Sequence, residues 1–220
     1  MYRNTISRRD ARRIYDRLGT RLDRADRFEG QARALALDLL QATPGQHVLH
    51  VGVGTGATHA ALQRCVGPTG LVAGCDLAYG MLNLTRRRAD TPLCQGDAAW
   101  LPFGAQCFDR LFSSYVLDLL PLDDIPLVLA EFRRVVRPAG RIVLVSLTEG
   151  IDLPSRLFVA GWKLIYRLDP QRLGGCRPLQ LSRLLGNTGC TVERCVVLQH
   201  GFPSEVLVGV APGTANTSTT

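Results

Sequence analysis

The glycine-rich segment between an apolar run and a helical pattern is the stretch of the sequence best suited to bind a ligand. It reads VLHVGVGTGATHAAL from Val48 to Leu62 and carries glycines at positions 52, 54 and 56. Glycine lets a backbone turn approach a ligand closely, and the helix that follows offers free N–H groups to polar or anionic atoms. Because Gly52, Gly54 and Ala57 also fit the G-x-G-x-x-G/A pattern of dinucleotide enzymes, a nicotinamide or flavin enzyme remains an alternative.

Two acidic residues lie where further predicted strands end. Asp76 closes the second predicted strand, where a carboxylate can accept hydrogen bonds from both hydroxyls of a bound ribose. Dinucleotide enzymes also place an acid there, so Asp76 does not decide between the alternatives. Asp97 lies in a G-D-A segment after the third strand and is followed by an L-P-F turn at 101–103. An F-D pair at 108–109 and an R-P-x-G turn at 137–140 complete an ordered set of motifs.

This ordered set closely resembles the class I S-adenosylmethionine-dependent methyltransferases over roughly Tyr15 to Val210. Three further segments narrow the resemblance, namely IYDRLGTRLDR before the first strand, DLAYGML at and after the ribose acid Asp76, and GGCRPL before the last helix. They are similar to the ubiquinone/menaquinone C-methyltransferases and equally to the bacterial phospholipid N-methyltransferases. The resemblance favours a methyltransferase over a NAD-dependent Rossmann enzyme.

The resemblance implies S-adenosyl-L-methionine as the cofactor and a set of residues that bind it. The three glycines would line the methionine part, Asp76 would hold the ribose, and Leu77 or Met81 would pack on the adenine. Asp97 would accept from the adenine amino group, with the N–H of Ala98 facing the ring. The full predicted set is Gly52, Gly54, Thr55, Gly56, Asp76, Leu77, Met81, Asp97, Ala98 and Ser114.

His50 is the main departure from the family pattern. Relatives usually have an aspartate or glutamate two residues before the first glycine, and many have cysteine where this chain has Val53. The missing carboxylate normally helps to order the loop and the amino end of the cofactor. Three interpretations stay open: a tolerated substitution, weaker cofactor binding, or a protein that binds the cofactor without transferring its methyl group.

Methyl transfer requires the protein mainly to align the acceptor and exclude water, and it needs no metal. A base is required only when the acceptor carries a proton that must leave. The candidates near strand ends and covering segments are Tyr15, Asp16, His59, Tyr115, Asp118 and His200. We predict His200, Tyr115 and Asp118 as catalytic, because histidine titrates near neutrality and the other two follow the fourth strand. We expect Tyr115 and Ser114 beneath the sulfonium, and His59 on the surface.

The alternation of apolar runs with helical patterns predicts an α/β, Rossmann-like fold with a mostly parallel seven-stranded sheet and helices on both faces. The last two strands, joined by a short GFPS segment, predict an antiparallel C-terminal hairpin. The predicted strands are His47–Val53, Leu71–Asp76, Pro92–Gln95, Arg110–Tyr115, Arg141–Leu147, Thr191–Leu198 and Glu205–Val210. The predicted helices are Ala57–Cys65, Ala78–Ala89, Ile125–Val136 and Leu179–Leu185.

Residues 1–210 are expected to form a single domain. Its predicted parts are a helical N-terminal cap (1–45), a cofactor-binding core (46–149), a lid-like insertion (150–178) and a closing helix with the hairpin (179–210). Residues 211–220 are polar and predict a disordered tail.

The composition indicates the class of protein and argues against some kinds of site and partner. A chain of 220 residues that is 46% hydrophobic and 20% charged is typical of one soluble globular domain. The seven cysteines form no C-x-x-C pair, which argues against a disulfide framework or a zinc site and favours a cytoplasmic location. The net charge of +7 suggests an anionic partner, but Lys163 is the only lysine, a skew typical of GC-rich codon usage. The few aromatic residues beside the N-terminal arginines argue against nucleic acid as a partner.

The insertion carries the main indication of the acceptor. Leu157, Gly161, Leu164, Ile165 and Leu168 recur at helical spacing. This segment predicts packing against the sheet, a lid over an apolar substrate, or contact with a membrane surface. Tyr15, Trp162 and Tyr166 are the predicted substrate or lid residues. We expect a small hydrophobic acceptor that is quinone-like, phenolic or a lipid amine, and peripheral membrane contact is a further expectation. The oligomeric state is not predicted.

Overall fold

The computed structural model describes residues 6–213 as a seven-stranded sheet between two layers of helices. The strands are β1 (His47–Val51), β2 (Leu71–Asp76), β3 (Leu93–Gln95), β4 (Phe108–Ser114), β5 (Val136–Leu147), β6 (Thr191–Gln199) and β7 (Phe202–Val210). The helices are α1 (Arg8–Leu18), α2 (Asp26–Leu40), α3 (Ala57–Val66), α4 (Tyr79–Arg86), α5 (Ile125–Val135), α6 (Leu153–Leu168) and α7 (Ser182–Gly186), with short 3₁₀ turns at Gly19–Ala25, Leu117–Leu119 and Pro170–Leu173.

The strand order is β3-β2-β1-β4-β5-β7-β6, and β7 alone runs antiparallel to its neighbours. β1 lies between β2 and β4, with Val48 opposite Val72 and Arg110. β6 and β7 are joined by His200 and Gly201, both with positive φ, and so short a connection permits only an antiparallel pair. The predicted mostly parallel sheet with an antiparallel C-terminal hairpin is confirmed.

Alternate residues along the strands pack on opposite faces of the sheet. Leu49 and Leu111 join the apolar cluster beneath α5 and α7, whereas Val48 and Phe112 join the cluster beneath α2 and α3. All four side chains are fully buried. Both faces of the sheet are therefore covered, as the continuous apolar runs of a parallel sheet predict.

Several predicted boundaries were wrong for local reasons. β1 ends at Val51 because Gly52 turns the chain with φ of 74°. The closing helix is the single turn Ser182–Gly186, since the N–H of Leu179 is bonded to the carbonyl of Leu147 at 2.9 Å instead of entering a helix. β7 begins at Phe202, three residues before the predicted start.

The first residue of the predicted disordered tail, Ala211, is part of the folded domain. The N–H of Ala211 donates to the carbonyl of Gly140 at 2.9 Å, and the side chain is buried, so Ala211 continues the pairing of β7 with β5 and its assignment to a disordered tail was wrong. Residues 214–220, which the prediction also covers, lie outside the described residues, as do residues 1–5 of the predicted cap.

The predicted insertion contains the 16-residue helix α6. Asp152 caps its N-terminus by accepting from the N–H of Ser155 at 2.9 Å. Val159 and Tyr166 face inward and are buried, whereas most of the leucines that suggested packing against the sheet are exposed. The packing interpretation of those leucines was therefore wrong.

Candidate active site

A cavity of about 420 Å³ lies at the carboxyl ends of β1, β2 and β4, beneath α1 and the turn that follows it. Open α/β sheets bind their ligands at this edge. The glycine loop and the two predicted acids lie on one side of the cavity, and aromatic and titratable side chains from distant segments lie on the other. We call these two sides the cofactor half and the acceptor half.

The glycine loop shapes the cofactor half through its backbone. Gly52 and Gly54 line the cavity with φ of 74° and 56°. A Cβ atom at Gly52 would overlap the Val116 side chain, whereas one at Gly54 would meet only Leu22 at an ordinary 3.6 Å. Gly56 does not line the cavity; a Cβ there would lie 2.7 Å from the Thr85 Cα atom, so Gly56 permits close helix packing rather than ligand contact.

Asp76 ties the glycine loop to the start of α4. Its carboxylate oxygens accept from the N–H of Gly54 at 3.1 Å and from the N–H of Ala78 at 2.9 Å. Burial raises the pKa of this carboxyl to about 6, and the two N–H donors oppose that shift. The carboxylate faces the cavity from the position that a ribose-binding acid requires.

The remaining residues predicted for the cofactor surround the same space. Asp97 lines the cavity and accepts from the N–H of Ala99 at 2.9 Å. Its other oxygen pairs with the Arg8 guanidinium of α1 at 2.7 Å. Leu77, Met81, Ala98 and Ser114 also line the cavity, with Met81 fully buried.

The N-terminal segment is latched over the cofactor half by polar contacts. Arg8 also pairs with Asp124 at 2.9 Å. Asp16 accepts from the N–H of Gly80 at 2.8 Å. Asp23 accepts from the Thr55 hydroxyl and pairs with the Arg88 guanidinium at 2.8 Å. Thr55, predicted to bind the cofactor, is thus held by the segment above it while it lines the cavity.

His50 belongs to a buried histidine pair. Its Nδ1 lies 3.3 Å from the Nδ1 of His59, and the two rings are stacked. His59 is fully buried and its Nε2 lies 2.7 Å from the Thr91 hydroxyl, so the prediction of a surface position was wrong. Burial lowers the pKa of both imidazoles, which keeps them neutral. The Nε2 atom of His50 has no partner among the described residues, and the residue lines the cavity.

The acceptor half is assembled from widely separated segments. Tyr115 follows β4 with φ of 53°, and its hydroxyl lies 2.7 Å from the Ser204 hydroxyl. Tyr15 comes from α1, and Trp162 from α6 donates its indole N–H to the carbonyl of Cys176 at 2.9 Å. Burial raises the pKa of both tyrosines, so their hydroxyls stay protonated. Aromatic rings and neutral hydroxyls thus line this half of the cavity.

Glu29 is the titratable group that the sequence analysis missed. It lies in the first turn of α2, lines the acceptor half and pairs with Arg33 at 3.1 Å. Burial raises its pKa to about 7 despite that guanidinium, so its carboxyl titrates near neutrality. The Arg33 guanidinium also lies 5.9 Å from the Tyr115 ring centroid. In the sequence Glu29 is one acid within an arginine-rich helical segment, and nothing in that pattern shows that it is buried.

Three other predicted residues lie away from the cavity. His200 is exposed in the β6–β7 turn and does not line the cavity. The catalytic role predicted for it has no geometric support, because a catalytic base must reach the proton of the methyl acceptor. Asp118 is fully buried behind the wall, where it accepts from the N–H of Leu147 at 3.1 Å and from the Cys176 thiol at 3.3 Å. Tyr166 lies on the buried side of α6.

Comparison with known proteins agrees with this geometry. Residues 48–140 match the family model described as a methyltransferase domain. They span β1 to β5 and include the glycine loop, Asp76 and Asp97. Residues 48–140 of this chain are therefore similar to a methyltransferase domain.

The proteins similar to this chain differ in the acceptor that their names give. The chain is 35% identical over 136 residues to malonyl-[acyl-carrier protein] O-methyltransferase of Herminiimonas arsenicoxydans, covering 62% of this chain and 50% of that protein. It is 28% identical over 176 residues to demethylmenaquinone methyltransferase of Staphylococcus carnosus, covering 76% of this chain and 71% of that protein. The chain therefore spans about half the length of the first of these relatives.

A solved structure supports the fold of this chain. The SAM-dependent methyltransferase from Aquifex aeolicus superposes with a TM-score of 0.59 at 18% identity, covering 93% of this chain and 98% of that one. The antiparallel β7, inserted between β5 and β6, also differs from the 3-2-1-4-5-6 order of dinucleotide-binding folds. The topology therefore favours the methyltransferase over the nicotinamide alternative.

The residues of this chain fit a nucleoside cofactor with an amino acid tail. Asp76 presents a carboxylate for ribose hydroxyls, and the space above Gly54 is open to the tail. The Nε2 atom of His50 has no partner among the described residues, and it can accept from an ammonium group in the tautomer whose Nδ1 donates to His59. In the described part of the chain, no three His, Cys, Asp or Glu side chains are grouped as a metal site requires. None of the described helices has the length and apolar character needed to span a bilayer.

Proposed function

We propose that this chain is an S-adenosyl-L-methionine-dependent methyltransferase that acts on a small hydrophobic acceptor. One observation carries the proposal: a single cavity joins the glycine loop and Asp76 to an aromatic chamber formed by Tyr15, Tyr115 and Trp162. A nucleoside cofactor and an apolar acceptor would therefore meet within one enclosed space. The acceptor classes that fit are quinone-like, phenolic or lipid-amine compounds.

The cofactor, when bound, supplies a methyl group that is already activated for transfer. Asp76 would hold the ribose hydroxyls, and the Ala98 N–H with the Asp97 carboxylate would bind the adenine edge. Met81 and Leu77 supply apolar surface for the ring. These contacts orient the donor, so the remaining contribution to the rate is alignment of the acceptor and exclusion of water.

Glu29 is the residue best placed to receive a proton from the acceptor. It lies in the acceptor half together with Tyr15 and Tyr115, whose hydroxyls are neutral hydrogen-bond partners. Its pKa of about 7 suits proton transfer near neutrality. Loss of a proton is required for a hydroxyl, a ring carbon or a protonated amine. Glu29 would therefore be the catalytic base in place of His200. Asp118 would position Cys176 and the end of β5.

Calorimetric titration tests the cofactor part of the proposal. Heat is expected with S-adenosylmethionine and S-adenosylhomocysteine and none with NADH. Asp76→Ala serves as the control variant, with weaker binding expected. Binding of NADH alone, or of neither sulfur nucleoside, would contradict the proposal.

The acceptor part requires a transfer experiment. The protein is incubated with methyl-labelled S-adenosylmethionine and a bacterial lipid extract, and the labelled products are identified by mass spectrometry. Label is expected on a small apolar compound and is expected to be lost with Glu29→Gln. Label on protein or nucleic acid would contradict the small-acceptor class.

His50 favours one alternative, a protein that binds the cofactor without transferring methyl. A neutral imidazole attracts an ammonium group less strongly than the carboxylate usual in the family. Calorimetric binding with no transfer to any fraction of the extract would favour this alternative. Recovery of transfer in His50→Asp would assign the loss to this position.

A further inference from the structure

The outer face of α6 is an apolar stripe without a cover in the described part of the chain. Its four leucines are Leu153, Leu157, Leu164 and Leu168, and they are between 60% and 79% exposed. Ile151 and Ile165 lie beside them and are 51% and 43% exposed. Single exposed leucines are ordinary on a protein surface, but six large aliphatic side chains on one helix and its entry are not.

Helical geometry places the four leucines together. At 3.6 residues per turn, their spacings of four, eleven and fifteen residues fall within an arc of about 60°. The buried side of the helix, marked by Ser155, Val159 and Tyr166, lies opposite. The leucines therefore point away from the sheet and contribute nothing to the core.

Basic side chains border this stripe. Arg156 and Arg167 are exposed on the same helix and have no ion pair among the described residues. Lys163, further round the helix, is paired with Glu149 at 2.6 Å. Arg172 follows α6, is 77% exposed, pairs with Asp169 at 3.3 Å and also lines the cavity, so it stands at the cavity opening.

The basic character continues onto the neighbouring segment. α1 carries five arginines in eleven residues, against two aspartates. It packs next to the chain that follows α6, because Tyr15 lies near Gly174 and Ile6 lies near Gly175. Exposed leucines and exposed guanidinium groups thus occur on neighbouring segments, and the C-terminal end of α6 leads to Arg172, which lines the cavity.

We propose that the leucine stripe of α6 docks on the surface of an anionic lipid bilayer. Leucines that enter the boundary between headgroups and acyl chains leave water, and the bordering arginines meet lipid phosphates. A second copy of this chain is a poorer occupant, because a two-fold pairing of the stripe would bring both pairs of unpaired arginines to one seam. The proposal does not depend on methyl transfer.

Vesicle flotation tests this docking with the full chain. Vesicles of phosphatidylcholine are compared with vesicles that contain about one third phosphatidylglycerol. Wild-type protein is expected to float with the anionic vesicles and much less with the neutral ones. Leu157→Gln combined with Leu164→Gln is expected to weaken binding by at least tenfold, because two apolar side chains no longer enter the bilayer.

Leu127→Gln on α5 is the matched control, since Leu127 is 52% exposed but lies outside the stripe. It should float as wild type does. Arg156→Gln combined with Arg167→Gln should weaken binding to anionic vesicles by about thirtyfold and leave binding to neutral vesicles unchanged. All variants should keep the wild-type melting temperature and the calorimetric response to S-adenosylmethionine.

Three results would overturn the proposal. The wild type fails to float with either vesicle, the double leucine variant floats as well as wild type, or the Leu127 control loses as much binding as the stripe variant. Sedimentation analysis adds a fourth. If the wild type is a dimer that does not bind vesicles, and the double leucine variant is a monomer, the stripe is an interface between copies of this chain.

Discussion

The cofactor half and the acceptor half of the cavity are built in different ways. The cofactor half comes mainly from residues 50–81 and 97–98, which lie close together along the chain. The acceptor half takes Tyr15, Glu29, Tyr115, Trp162 and Cys176 from five separate places. Local backbone geometry therefore defines the first half, whereas the second exists only after α1, α2 and α6 have packed on the sheet.

The two halves also hold their carboxylates differently. Asp76 receives two backbone N–H donors, which fix its orientation. Glu29 is held by the Arg33 guanidinium. Burial raises the pKa of both groups, but only that of Glu29 reaches about 7. The first arrangement suits binding and the second suits proton transfer.

The largest effect is expected at the glycine loop. Gly52→Ala would place a Cβ atom against the Val116 side chain at φ of 74°, so we expect a loss of about 3 kcal/mol in the free energy of unfolding. Gly54→Ala is the matched control, because its φ is also positive but the space is open. It should cost about 1 kcal/mol. Urea unfolding measures both, and equal losses would contradict the contribution of the Val116 contact.

The next effect concerns Glu29 in the acceptor half. Its pKa is raised from 4.5 to about 7, so its protonated form stabilises the fold below pH 4.5 and that stability is lost as the pH rises through 7. The charged groups that act on it are Arg33, Asp26 and Asp118. Glu29→Gln should therefore become more stable relative to wild type between pH 4.5 and 7.5, by on the order of 2 kcal/mol.

Chemical unfolding at several pH values measures this difference. The titration of Asp76 is common to wild type and variant and cancels in the comparison, whereas Asp118 interacts with Glu29 and contributes to the difference. A difference that stays constant across the pH range would show that Glu29 titrates as an exposed glutamate does.

A smaller effect is expected at Asp76 in the cofactor half. Asp76→Asn places an amide N–H₂ against one of its backbone donors and removes the charge, so affinity for S-adenosylhomocysteine should fall by tenfold to a hundredfold, about 1–3 kcal/mol. The pKa of about 6 implies that wild-type affinity also falls from pH 7.5 to pH 5. Calorimetry at both pH values tests this, and the variant should lose that pH dependence.

The smallest effect is expected at the latch above the cofactor half. Arg8→Gln removes the contacts with Asp97 and Asp124, but the Arg8 side chain is 44% exposed, so the stability change should stay below about 1 kcal/mol. Dissociation of the cofactor should become severalfold faster, as measured by stopped-flow fluorescence. Arg9→Gln, exposed and without an ion pair among the described residues, is the control. Equal rates in both variants would exclude the latch.

Sequence patterns predicted the elements whose signal is local. The apolar runs predicted β2 with its correct bounds, and the glycine after β1 predicted the position of the cofactor loop. The closing helix was misplaced because its first residue bonds to β5, a partner distant along the chain. His59 was placed on the surface because a histidine in a helix shows no sign in the sequence of its stacking on His50.

By itself, the sequence determined the order of strands and helices, the glycine loop and the two acids, because glycine conformations and apolar periodicity act over a few residues. Only the tertiary structure decided that Glu29 is partly buried in the cavity wall with Tyr115, that His200 lies outside the cavity, and that the α6 leucines face outward. Burial depends on which distant segments pack over a residue, and this packing sets both the pKa of a carboxyl group and the direction of an apolar face.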